Sequence, residues 1–343
     1  MALGGKVLLV GAGSIGRYHL KYLSVSFQEI YILDTDLEIA EKINSDLKTR
    51  IVKIFHSFSE IDDFAIFELV VISNLGPDHY VTFINLVEKG VKNFFLEKPL
   101  ADSLLEIDLI RRAKEKYNLR IETHFQWSES FLFEQISNCQ NMYKLGPVDY
   151  INVTGGAKCI ATNGIHYLAM ANILFGENPV STFSVLNSEP INPRRQDLKF
   201  LGGISTWLYK KNKLLTILFS NTNRNSPRVE VFFLNGRAEI VGENLRIWKI
   251  TEDNLQKFSS ITRTFYADQL IFNGKAYNFQ DGTNGTNKIY SRIIKNEGLD
   301  NFEHGAQASE QLIKSLISNE TGLRTIINNK VEEKYLNTKW SIS

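Results

Sequence analysis

Gly11, Gly13 and Gly16 in KVLLVGAGSIGRYH follow an apolar run, Val7 to Val10, and Asp34 closes a second run, Ile30 to Leu33. Residues of these types at this spacing suit a dinucleotide. Three glycines between a strand and a helix permit a tight turn, let pyrophosphate approach the backbone and let the helix pack closely on the sheet. Ser14, Ile15 and Gly16 then open a helix whose unpaired N–H groups and positive dipole end face the phosphates. A carboxylate at the tip of the next strand, Asp34, is placed to accept hydrogen bonds from the adenosine ribose. That carboxylate repels a 2′-phosphate, and YILDTDLE offers no arginine directly after it as a counter-charge, so NAD is expected in preference to NADP. Arg17 remains able to stack near the adenine. The plainer alternative is a buried strand-turn-helix whose Asp34 merely begins a loop.

A second group with chemical potential stands in FFLEKPL, where Glu97, Lys98 and Pro99 end another apolar run. The carboxyl edge of an open α/β sheet is where ligands bind. Proline keeps the residue before it extended, which holds the Lys98 side chain at that edge. An ammonium there can stabilise negative charge developing on a substrate oxygen during hydride transfer. A solvated lysine at a strand end is the alternative.

These groups need a scaffold, and the chain supplies a recognisable one. Short apolar runs at Val7 to Val10, Ile30 to Leu33, Leu69 to Ile72, Phe94 to Leu96 and Leu119 to Ile121 alternate with helical patterns. This predicts an α/β fold with a doubly wound parallel sheet. HYVTFINLVEKG predicts a helix stopped by Gly90, and LADSLLEIDLIRRAKEKYN another, capped by Asp102 or Ser103. From about Val148 long β-rich runs appear, and Asn235-Gly236 predicts a hairpin within a largely antiparallel open sheet. FEHGAQASEQLIKSLIS predicts a last helix ending at Gly322. Residues 1–122 are expected to form the dinucleotide domain and 123–343 a substrate and oligomerisation domain, with the site in the cleft between them.

The 343 residues carry 39 basic and 38 acidic side chains, a net charge of +1, so no nucleic acid partner is expected. Two cysteines, Cys139 and Cys159, make neither a disulfide framework nor zinc spacing. No metal is expected, and a reducing cytoplasm is the expected location. With a strand expected from Lys6, no signal peptide is expected. Cys159 to Gly176 lacks Lys, Arg, Asp and Glu, but Thr162, Asn163, His166 and Asn172 interrupt it, so it is expected to be a buried helix with a polar entrance and not a membrane span.

The run SNLGPDHYVTFINLVEKGVKNFFLEKPLADSL, taken with VGAGSIGRYH, resembles the glucose-fructose oxidoreductase/inositol dehydrogenase (Gfo/Idh/MocA) family. The resemblance implies a Rossmann domain followed by an α/β domain whose open sheet forms the oligomer contact, as a homodimer or homotetramer. It also implies NAD(P)-dependent oxidation or reduction at a sugar or polyol carbon. Ser73, Asn74 and His79 would line the cofactor beside Glu97, and Lys98 would touch both nicotinamide and substrate.

The family pattern also places an Asp and, four residues later, a His on a helix facing the nicotinamide. In ATNGIHYLAMANILFG the histidine is His166, while Thr162 stands at the aspartate position. With Asn163 as the helix cap, His166 would lie in the first turn, where the dipole disfavours imidazolium. A neutral His166 could then take the substrate hydroxyl proton. Where the family has an aromatic-Arg-Phe stretch, this chain has THFQWSES. His124, Gln126 and Trp127 thereby join Thr162, Asn163, His166 and Lys98 as candidate substrate contacts, with Trp127 stacking on a sugar ring; ordinary packing at the domain junction is the alternative for these three. Arg194 and Arg195 in NPRRQD read as a solvated basic loop.

The expectation is an NAD-dependent oxidoreductase acting on a sugar, sugar nucleotide or cyclitol, with Lys98 and His166 catalytic. A non-catalytic dinucleotide or sugar sensor on the same fold and a glycosidase using NAD for transient oxidation are the alternatives.

Overall fold

The computed structural model describes residues 4–43, 51–156, 158–187, 198–251, 268–275, 283–295, 297 and 301–342. Arg194 and Arg195 lie outside the described residues.

Strand β1 (Gly4–Val10) sits at the centre of the first sheet and buries both its faces. Val7 and Leu9 enter one apolar cluster, Leu8 and Val10 another, as the two-residue period of a strand requires. Helix α1 (Ser14–Ser26) and β2 (Phe27–Leu33) follow, then α2 (Ile39–Lys42), β3 (Ile51–Phe55) and β4 (Leu69–Ile72). Helix α3 (His79–Glu88), β5 (Asn93–Leu96), α4 (Leu104–Tyr117) and β6 (Arg120–Thr123) complete the unit. The strands are all parallel, in the order β3-β2-β1-β4-β5-β6. The direction of winding reverses between β1 and β4, the switch point beside which ligands bind in such sheets.

The expected strands are all present, and β3 is an addition. Its Val52 and Lys53 are exposed on the edge of the sheet, so it lacks the apolar continuity of the buried strands. Gly90 has φ +89° just beyond α3, and the Ser103 hydroxyl, not Asp102, accepts the Glu106 N–H to cap α4.

Helix α5 (Phe131–Met142) leads to β7 (Val148–Gly156), a π-helical turn (Ile160–Gly164) and α6 (Ile165–Phe175). Strands β8 (Ser181–Leu186), β9 (Gly203–Leu208), β10 (Leu214–Ser220), β11 (Arg228–Phe233), β12 (Gly236–Val241), β13 (Asn244–Ile250) and β14 (Asp268–Lys275) come next. Helices α7 (Thr283–Ile294) and α8 (Phe302–Thr321), strand β15 (Thr325–Ile326) and α9 (Glu333–Leu336) end the described chain's elements. The second sheet runs β14-β13-β12-β11-β7-β10-β9-β8-β15 and is antiparallel apart from the β7–β10 pair. The hairpin at Asn235-Gly236 is shifted by one residue: Leu234 and Asn235 make the turn, and Gly236 already pairs with Phe233. Glycine is needed there for close approach, since a Cβ would lie 2.3 Å from the Trp248 carbonyl oxygen.

After the second sheet the chain returns to the first. Ile289 and Tyr290 of α7 enter the same apolar cluster as Leu20 and Leu23 of α1. Asn301, just before α8, holds the end of β6 by accepting the Thr123 N–H at 2.6 Å and donating to the Thr123 carbonyl at 3.1 Å.

Candidate active site

The glycine turn is built by contact. Gly11 has φ +83°, and a Cβ on it would lie 2.6 Å from the Asn74 backbone; a Cβ on Gly16 would lie 2.0 Å from the Gly11 carbonyl oxygen. Around Gly13 a Cβ would meet nothing within 4 Å. Two glycines thus serve helix-on-strand packing, while the third leaves an open cradle at the start of α1, the arrangement a pyrophosphate needs. Ser14, Ile15 and Gly16 form the first turn of α1 at that cradle. Ser73 fixes the turn from below, its hydroxyl donating to the Gly11 carbonyl at 2.7 Å. Asp34 accepts the Ala12 N–H at 2.6 Å and the Asp36 N–H at 2.9 Å, one on each oxygen. Each carboxylate oxygen keeps a further lone pair for a ribose hydroxyl. The residues present fit a dinucleotide.

Beyond β4, Asn74 donates to the Thr82 hydroxyl at 2.8 Å, and its own amide oxygen is buried without a partner. The ring nitrogens of His79 lie 2.8 Å from the Pro99 carbonyl and 3.2 Å from that of Asn74. This knits the loop after β4 to the loop after β5. Burial lowers the pKa of His79 against the opposing pull of these carbonyls.

Lys98 leaves the edge of the first sheet and reaches the other half of the chain. Its ammonium donates to the Thr162 carbonyl at 2.9 Å, within the π-helical turn that precedes α6. Burial lowers its pKa, with the negative charge of Glu97 opposing. His166, four residues beyond Thr162, is 3 % exposed, and its Nδ1 is buried without a hydrogen-bond partner. Burial, and next the positive charge of Lys98, hold its pKa well below the ordinary 6.5. Asn163 does not cap α6. Its side-chain oxygen accepts the Cys159 N–H at 3.3 Å, closing the π turn, and Gly164 precedes α6 with no side-chain cap. His166 is therefore a full turn deeper in continuous helical structure than expected, and burial rather than a helix start is what keeps it neutral.

Trp127 lies on the His166 ring, with centroids 4.3 Å apart at 28°, and is 5 % exposed. The structure thus places its indole on an imidazole, the position assigned above to a sugar ring. Phe125 meets His166 edge-on at 5.8 Å and His304 of α8 at 5.4 Å. The Gln126 amide oxygen is buried without a partner. Lys98, Thr162, Asn163, His166 and Trp127 are brought together.

Glu97 and His124 stand in a different set. Glu97 Oε1 accepts from His19 Nε2 at 2.8 Å and His124 Nδ1 at 2.5 Å, and Oε2 accepts the Lys98 N–H at 3.2 Å. His124 Nε2 lies 3.0 Å from the Thr286 hydroxyl, and His19 Nδ1 lies 2.8 Å from the Tyr290 hydroxyl. Burial would raise the Glu97 carboxyl, but the N–H donors of His124 and His19 bring it well below the ordinary value. His19, Thr286 and Tyr290 were not singled out in the sequence. The one available signal is that His19 shares the buried stripe of α1 with Gly16, Leu20 and Leu23.

With this geometry in view, residues 5–125 match the profile of the oxidoreductase family with an NAD-binding Rossmann fold, GFO_IDH_MocA. Those residues belong to the Gfo/Idh/MocA family. Among solved structures, levoglucosan dehydrogenase in complex with NADH and levoglucosan is similar over 95 % of this chain and 100 % of its own, with a TM-score of 0.73 at 13 % identity. Apo scyllo-inositol dehydrogenase from Lactobacillus casei is similar over 96 % and 100 %, with a TM-score of 0.71 at 13 % identity. UDP-N-acetylglucosamine 3-dehydrogenase from Acidithiobacillus ferrooxidans is similar over 92 % and 98 %, with a TM-score of 0.69 at 14 % identity. At these identities the likeness is one of fold, and it covers both sheets. No curated protein matches the chain in sequence. No helix among the described residues is long and apolar enough to cross a membrane.

Proposed function

We propose that this protein is an NAD-dependent oxidoreductase that moves hydride between nicotinamide and a carbon of a sugar, sugar nucleotide or cyclitol. In this reading residues 1–122 hold the cofactor and 123–343 contribute the substrate side. The observation that carries it is the meeting of two groups from separate halves of the chain: the Lys98 ammonium reaches the turn that presents His166, whose Nδ1 has no partner. A buried polar atom left unpaired costs stability and calls for an explanation, which a substrate hydroxyl supplies. NAD supplies the hydride acceptor or donor. His166, kept neutral, accepts the hydroxyl proton at Nδ1 as the carbon is oxidised and returns it in the reverse direction. Lys98 keeps donors beyond the one given to Thr162 and turns them on the same oxygen, where charge develops. Trp127 fixes the plane of the imidazole. Asp34 favours NAD over NADP by repelling a 2′-phosphate. The related dehydrogenases of a sugar, a cyclitol and a sugar nucleotide support the substrate class.

The test is a panel of sugars, sugar nucleotides and cyclitols followed by NADH absorbance, with Lys98→Ala and His166→Ala beside the wild type. Turnover should fall roughly 100-fold or more in each variant while NADH affinity stays within about twofold. Since burial holds the His166 pKa below 6.5, the base form survives acidification, and the acid limb of kcat/KM should appear only well below pH 6.5. Wild-type turnover in both variants overturns the assignment. Dinucleotide binding with no absorbance change on any substrate favours a sensor, and sugar release without net NADH favours a transient-oxidation glycosidase.

A further inference from the structure

The carboxylate beside the candidate lysine sits in a network that reaches far from the cofactor cleft. Glu97 is buried at 4 % exposure, yet it is held by donors from three directions. They are His19 on α1, His124 beyond β6 and the peptide N–H of Lys98. An ionised carboxylate only accepts hydrogen bonds, so His19 must carry its proton on Nε2 and His124 on Nδ1. In neutral rings the remaining nitrogens are acceptors, and each faces a hydroxyl from α7, Tyr290 for His19 and Thr286 for His124. Donor directions stay consistent further out. Tyr22 donates to Tyr18 at 2.9 Å, and Tyr18 lies 3.1 Å from Thr286, which gives its own proton to His124.

A metal ion does not account for this cluster. Two ligands bound tetrahedrally at about 2.1 Å would stand about 3.4 Å apart, whereas Glu97 Oε1 is 2.8 and 2.5 Å from the two imidazole nitrogens. These are hydrogen bonds.

We propose that Tyr290 and Thr286 are positioning residues for Lys98. Each hydroxyl holds the other nitrogen of one imidazole and so fixes that ring's orientation, the two imidazoles clamp the Glu97 carboxylate, and that carboxylate pins the Lys98 peptide at the sheet edge. Because His19 stands on the same helix as the glycine turn, the dinucleotide cradle, the lysine and a helix from the C-terminal half share one buried unit. Helix α7 is seated for this. A Cβ on Gly285 would lie 1.9 Å from the Gln126 carbonyl oxygen, and the Tyr290 ring stacks on Tyr22 at 5.6 Å and 7°. The proposal rests on the reading that Lys98 acts on the substrate oxygen.

Its test separates the two claims. In full-length protein with 15N-labelled histidine, long-range proton–nitrogen correlations report the tautomers of His19 and His124 with no substrate present. Wild type should show Nε2–H at His19 and Nδ1–H at His124. Tyr290→Phe keeps the ring and its stacking but should leave His19 Nδ1 without its hydroxyl partner, shifting that nitrogen's resonance and the Lys98 amide resonance; Thr286→Val should do the same for His124 Nε2. With a substrate from the panel, kcat should drop by up to about a hundredfold with KM for NAD within about twofold. The opposite tautomers in wild type, or unchanged His19, His124 and Lys98 resonances in both variants, overturn the network. If one variant does not fold, the other reads its own branch. Resonances that move while Lys98→Ala keeps full turnover leave the positioning intact and remove the catalytic reading of Lys98.

Discussion

Gly13 and Gly16 are one residue type in opposite surroundings, and their substitutions should separate binding from folding. At Gly13 the backbone has φ −61°, and a methyl group would meet no atom within 4 Å. Gly13→Ala should therefore leave the urea midpoint within the change of about 0.5 kcal/mol typical of an unobstructed position. Its methyl would stand where pyrophosphate approaches the backbone, so NADH affinity in a fluorescence titration should fall at least about tenfold. Gly16→Ala puts a methyl 2.0 Å from a backbone oxygen that cannot step aside without moving α1 off the sheet. It should cost about 1–3 kcal/mol of stability before any cofactor is added. A Gly13→Ala protein that binds NADH like wild type would remove the dinucleotide from this turn.

Elements were legible where a local pattern decides them and obscure where distant segments do. The strand-turn-helix at Gly11 to Ser26, the helices stopped by Gly90 and Gly322 and the buried helix after Cys159 all announce themselves within a dozen residues, because caps and periodicity are short-range. Helix α5 passed unnoticed although Leu132, Ile136 and Cys139 mark its buried face and Ser130 caps it, so its signal was present. The cluster around Glu97 gave no such signal. His19, Glu97, His124, Thr286 and Tyr290 come from segments up to 271 residues apart and meet only through the fold. The π turn was hidden for another reason: Asn163 is an equally good cap for an α-helix, and only the structure shows its side chain turned back to Cys159. That choice has a consequence. Asn163→Ala should leave the Cys159 N–H short of a partner at a cost of about 1 kcal/mol. It should also raise the hydrogen exchange of residues 159–164, which carry the carbonyl that holds Lys98. Unchanged exchange across that turn would show that the asparagine does not define it.

For the molecule as a whole, one face of the second sheet carries a row of exposed apolar side chains. Register aligns Val185, Ile204 and Leu218 across β8, β9 and β10, and these are 56, 37 and 45 % exposed. Phe183, two residues before Val185 on the same side, is 43 % exposed. The row continues through Thr154 of β7 to Arg228 of β11, where charged residues take over. There Arg228 pairs with Glu230 at 2.9 Å and Glu239 at 2.8 Å. An aliphatic half flanked by a charged half matches the composition of an interface, apolar at its centre and polar at its rim. Scattered exposed apolar residues are ordinary; a register-aligned row on a sheet is a contiguous patch. A twofold axis through such a face would set each chain's patch on its partner's, which is how symmetric dimers bury one surface twice. We propose this face as the contact of the homo-oligomer expected from the sequence. Light scattering on wild-type protein should give a multiple of the chain mass, and the pair Val185→Glu with Leu218→Glu should shift it to the monomer, because buried unpaired carboxylates at an interface are too costly to keep. Both substitutions point away from the covered side, so the melting of the monomer should remain cooperative. An oligomer that persists in the double variant, or a monomeric wild type, would take the assembly away from this sheet.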